Sequence, residues 1–125
     1  MRFVRYALVL VVAFEVAVGE CFLAAARPFG HAWPVAALAA VLGNVSLGVA
    51  GARELERPGG SAGPGLVWVG VALTLASGRQ GSDVVVPNTG RGVALLLAGA
   101  AAAAGVVAVT VAGKNGTTPE GHLRR

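Results

Sequence analysis

The chain has no isoleucine, one lysine (Lys114), one cysteine (Cys21), two histidines and six acidic residues among its 125. Each scarcity removes a possibility. One cysteine permits no internal disulfide, and Cys21 lies inside an apolar run, so it reads as a small buried residue; a reactive thiol needs exposure and an electropositive setting. His31 and His122 have no metal-ligand partners at a suitable spacing, so neither a metal site nor a cofactor is expected. Nothing supplies a nucleophile with its base, so no enzyme is expected either. Charged residues make up 13% and aromatics 6%, and the net charge of +4 is scattered at segment ends with no basic stripe interleaved with aromatics, which argues against nucleic acid as a partner. The glycines of Pro58-Gly59-Gly60-Ser61-Ala62-Gly63-Pro64-Gly65 are not a phosphate loop, because no strand precedes them and no Gly-Lys-Ser/Thr follows.

What the chain has in abundance is apolar surface. Hydrophobic residues are 55% of the total and the mean hydropathy is +0.71, too much to hide in one soluble core. Nineteen glycines and many alanines suit helices that approach closely in lipid, where small residues replace the hydrophobic drive to associate. A span needs roughly twenty apolar residues for a hydrocarbon core about 30 Å thick. The pattern predicts an all-α integral membrane bundle of four transmembrane helices, with spans at about 5–26, 33–52, 64–78 and 92–113. Residues 1–113 form a single domain and 114–125 a polar tail. The basic lead Arg2 and Arg5 resembles the start of a signal peptide, but the apolar run behind it is too long and carries two glutamates, so a retained helix is expected. The third span is the weakest, and the charged stretch at 53–57 with the Pro/Gly-rich run behind it reads as a flexible connector.

Polar residues inside such spans are functional-site hypotheses by default. Glu15, near the middle of the first span, is the leading candidate for proton or cation coupling, with Glu20 beside it. The two lie five residues apart, about 140° around the helix, so they require different partners. Glu20, nearer the outer end, is expected to meet Arg27 or a loop arginine. Gly19 shares the face of Glu15. In the second span Ala36, Ala40, Asn44 and Gly48 recur every fourth position as a packing row, with Asn44 facing protein; in the third, Gly70, Thr74 and Gly78 repeat that spacing. Gly99 and Ala103 offer a packing face in the last span, and Thr110 is placed to bond its own backbone. Arg79, Asp83 and Arg91 are candidates for a polar cluster in the loop between the third and fourth spans. Asn44-Val45-Ser46 and Asn115-Gly116-Thr117 match a glycosylation pattern but fall within a span and on the inner side.

With four spans, seven basic residues (Arg2, Arg5, Arg53, Arg57, Lys114, Arg124, Arg125) share one side and three (Arg27, Arg79, Arg91) the other, which puts both termini in the cytoplasm. Tyr6 and Trp68 then fall near the inner interface and Trp33 near the outer one. Nine arginines against one lysine, without isoleucine, is the usage of a high-GC genome, so the expected location is a bacterial cytoplasmic membrane.

Through Gly81-Ser82-Asp83-Val84-Val85-Val86-Pro87, the chain resembles an uncharacterised group of small actinobacterial four-helix membrane proteins, a likeness that implies no particular activity. Through Phe14-Glu15-Val16 and Trp33-Pro34, and faintly through Trp68-Val69-Gly70, it also resembles the small multidrug resistance exporters, proton-coupled four-helix dimers. That second likeness implies that Glu15 alternately holds protons and a lipophilic cation. The Pro/Gly-rich connector, Glu20, the charged loop from Arg79 to Arg91 and the missing aromatics of helices two and three depart from the exporters. The expectation is therefore an accessory or structural membrane subunit, with lipid, a second copy or another membrane protein as partner, and the exporter as the alternative.

Overall fold

The computed structural model describes residues 1–25, 35–77 and 90–115, with the side chains of 25, 91 and 115 not described. Four helices account for almost all of them: α1 (Arg2–Ala25), α2 (Val35–Leu55), α3 (Ala62–Ser77) and α4 (Gly90–Asn115), with a 3-10 turn at Pro58–Ser61 leading into α3. Each helical segment is long and apolar enough to cross a membrane, with mean hydropathy 2.2, 1.9, 1.3 and 2.3 in chain order, the 3-10 turn included in the third.

Apart from Trp68, Leu95 and Val106, small residues fill the interior, and many large ones face outward. Ala13, Ala17, Cys21, Ala24, Ala40 and Ala72 are buried, whereas Leu8, Phe14, Phe22, Leu42, Leu66 and Leu97 are exposed. A soluble domain would reverse this distribution, since exposing that much contiguous apolar surface to water is unfavourable. Helices lined with alanine and glycine instead let their backbones approach, which is how association is achieved where lipid covers the outside.

Around the bundle the order is α1, α2, α4, α3, with α1 and α4 diagonal and least in contact. The start of α1, the end of α2, the start of α3 and the end of α4 meet at one end. There Arg2 pairs with Glu56 at 3.0 Å, the Tyr6 hydroxyl donates to the Gly60 carbonyl at 3.2 Å, and the Ser61 and Thr110 hydroxyls are 2.9 Å apart. The α2–α4 seam closes where Gly48 faces Val106, and α3 meets α4 where Gly65 faces Ala103.

Several sequence expectations change. The Pro58–Gly65 stretch is ordered instead of a flexible connector. Pro58 opens the 3-10 turn, and Pro64 falls in the first turn of α3, where its missing N–H has no intrahelical acceptor to lose. The third span is thereby lengthened to Pro58–Ser77, twenty residues. The packing row of α2 is observed, with Ala36, Ala40, Asn44, Gly48 and Gly51 all buried. The matching row of α3 is not: Gly70 and Thr74 are exposed, and a side chain added at Gly70 would meet nothing within 4 Å. Gly19 is likewise exposed and open. Trp33, Arg27 and Gly78 lie outside the described residues, and so does the loop cluster expected of Arg79 and Asp83 with Arg91, whose backbone is in the first turn of α4.

Candidate functional site

One polar centre draws on all four helices. The Trp68 indole N–H of α3 donates to Glu20 Oε2 of α1 at 2.7 Å, with both side chains buried. Glycine makes room on either side. A Cβ built at Gly43 of α2 would lie 2.5 Å from Glu20 Oε1 and 3.2 Å from Val16 Cγ1. A Cβ at Gly99 of α4 would run into the Trp68 ring. The carboxylate therefore rests over the backbone of α2 and the indole over that of α4. In hydrocarbon an unsatisfied polar group costs several kcal/mol, so each of these two groups supplies what the other needs.

The pair bears on two expectations. Among the described residues Glu20 takes its partner from α3, and the arginines expected to meet it, Arg27 and Arg79, lie outside them. Trp68 is an interior residue, 3% exposed, and not part of an inner aromatic belt. The indication was present in the sequence once the third span is taken to begin at Pro58: Trp68 is then its eleventh residue of twenty, and an indole N–H at that depth needs a buried acceptor. Gly43, which seats the carboxylate, carried no signal of its own.

Glu15 is oriented in the other direction. It stands two residues from buried Ala13 and two from buried Ala17, about 200° of rotation from each, and is exposed on the outward face with Gly19 and Phe22. It makes no hydrogen bond or ion pair among the described residues. An apolar groove of about 470 Å³ runs between α1 and α3 past Phe14, Val18, Gly70 and Thr74, and Glu15 is not among the residues lining it. The remaining candidates are satisfied locally. Asn44 Nδ2 donates to the Ala40 carbonyl at 3.0 Å, so the buried amide bonds its own helix and not a neighbour. The Thr74 hydroxyl donates to the Gly70 carbonyl at 2.7 Å, and that of Thr110 lies within 2.9 Å of the Val106 and Val107 carbonyls. Cys21 is fully buried. No group of three or more His, Cys, Asp or Glu able to hold a metal occurs among the described residues.

The class these features define is an all-helical bundle of four segments, each able to cross a membrane, compatible with a multi-pass membrane protein. No protein-family model, no curated protein and no solved structure matches the chain.

Proposed function

We propose that this chain is an accessory or structural subunit of a bacterial cytoplasmic membrane, with both termini in the cytoplasm, and that it docks to its partner through the outward face of α1. The observation that carries this reading is the division of labour between two carboxylates. Glu20 is spent inside the bundle on Trp68, whereas Glu15, ten residues from the end of α1 at Ala25, faces outward with no partner among the described residues. Ten helical residues span about 15 Å, close to the middle of a bilayer, where a lipid-facing carboxylate is costly and ionisable side chains almost always meet protein, water or one another. The positive-inside count supports the orientation.

Cross-linking in native membranes, followed by purification, tests the reading. Wild type is expected to be recovered in a complex, with itself or with another membrane protein, and Glu15→Leu to be recovered alone with its helix content unchanged. A monomeric wild type, or a complex indifferent to Glu15→Leu, would count against it. The same unpartnered carboxylate favours one other reading, a proton-coupled exporter of lipophilic cations, in which two copies enclose Glu15. Cation-induced proton release from purified wild type, absent in Glu15→Gln, would select the exporter.

A further inference from the structure

At the end of the bundle where Arg2 meets Glu56, a cleft of about 310 Å³ opens between α2 and α4. Its floor and wall include Val49, Ala52 and Pro58, and its rim carries Arg53, Arg57 and Lys114. We propose that this cleft binds the phosphate headgroup of an anionic phospholipid, with the acyl chains running back along the α2–α4 seam. The inference rests on the four helices spanning a membrane and is independent of the subunit reading.

Three observations support it. First, the two arginines are not consumed by the end of α2 beside which they stand. A helix C-terminus leaves carbonyls that basic side chains often satisfy, but α2 closes with its own backbone: Glu56 N–H donates to the Arg53 carbonyl at 3.2 Å and Arg57 N–H to the Ala52 carbonyl at 3.3 Å, the paired bonds of a Schellman cap. Neither Arg53 nor Arg57 has a side-chain partner among the described residues.

Second, the charge balance is positive. The one carboxylate lining the cleft, Glu56, is turned to Arg2. Across this end of the described bundle, Lys114 set aside, the charged side chains are Arg2, Arg5, Arg53 and Arg57 against Glu54 and Glu56. Third, the backbone turns sharply to present the rim. Glu56 has φ 52, a left-handed conformation that a residue with a side chain adopts at a cost, and it swings Arg57 and Pro58 over the cleft.

The position selects a lipid over a soluble anion. Arg53 and Lys114 occupy the last turns of two membrane-spanning helices, and the residues one turn deeper, Val49 and Thr110, line the same cleft. A headgroup at the water–hydrocarbon boundary meets the guanidinium forks, which match phosphate geometry, while its chains stay in the hydrocarbon.

The experiment is native mass spectrometry of the detergent-solubilised chain titrated with phosphatidylglycerol, phosphatidylcholine or inorganic phosphate. Wild type is expected to retain one phosphatidylglycerol in preference to phosphatidylcholine. Arg53→Gln with Arg57→Gln is expected to bind it roughly thirtyfold more weakly, the effect of losing two cations at an anionic surface. Arg5→Gln, which removes one such charge outside the cleft, is expected to bind like wild type. Both arginines are exposed, and an unchanged circular dichroism spectrum confirms that the double variant folds. Equal retention of the two lipids, full retention by the double variant, an equal loss in Arg5→Gln, or displacement of the lipid by millimolar inorganic phosphate would each overturn the proposal.

Discussion

Replacing Trp68 by phenylalanine keeps a ring over Gly99 but removes the indole N–H, leaving Glu20 with an unmet buried oxygen. A loss of about 1–3 kcal/mol is expected, read as a lowered unfolding midpoint in detergent or lipid. Glu20→Gln keeps an acceptor for the indole and should cost clearly less. The coupling is best read from a double-mutant cycle: adding Glu20→Leu to Trp68→Phe removes both members of the pair, and the double variant should recover part of the stability lost by Trp68→Phe alone, because no buried polar group is then stranded. Stabilities that merely add would mean that Trp68 contributes ring packing alone. Spacing along the chain made Glu15 the leading candidate for coupling and did not say which of the two carboxylates enters the bundle. Hydropathy reports only that a residue lies within a span, and the face it presents depends on which neighbours the helix finds.

At the scale of elements, glycines that look alike in sequence carry different loads. Gly99→Ala must displace the Trp68 ring and is expected to be destabilising, whereas Gly70→Ala meets open space and should be neutral or slightly stabilising through helix propensity, by up to about 1 kcal/mol. Comparable losses at both positions would contradict the packing described. Glu56, holding a left-handed backbone at the end of α2, gives the opposite prediction. Glu56→Gly relieves that strain, worth about 1 kcal/mol, and forfeits only an ion pair with Arg2 in which both side chains are more than half exposed, at 66% and 62%. A midpoint that rises, or at least does not fall, is expected. The α2 packing row was legible because every fourth residue was small. The same spacing in α3 lies outside the bundle, since spacing defines a stripe on a helix but not the direction in which that stripe points. The start of α3 was also hidden: Pro and Gly signal a turn in most contexts, and only the 3-10 turn, seated against α2 where Gly51 and Gly60 pack backbone to backbone, makes Pro58–Gly65 part of the span.

For the whole molecule, the inverted distribution of side chains predicts where substitutions matter. Changing outward Leu42 or Leu97 to alanine should leave stability in a bilayer nearly unchanged, since lipid replaces whatever packing is lost, while enlarging buried Ala40 to leucine should separate helices and cost several kcal/mol. Unfolding measured in bilayers for both kinds of variant checks this, and the reverse ranking would mean that the outward face is covered by protein. Such coverage is itself expected around Glu15 alone, so Glu15→Leu is predicted to stabilise an isolated chain while weakening its complex.

Four segments of spanning length, the small-residue content that lets them pack, and the clustering of basic residues at one set of ends were all determined by the sequence, because each depends on composition and spacing along one dimension. The tertiary structure alone decided which polar residue points inward. Glu20 and Trp68 are 48 positions apart in the chain and meet only because α1 and α3 are neighbours with Gly43 and Gly99 beneath them. Pairing across a bundle depends on the rotation and neighbour of every helix at once, and four apolar helices rich in alanine and glycine offer many rotations of nearly equal hydropathy.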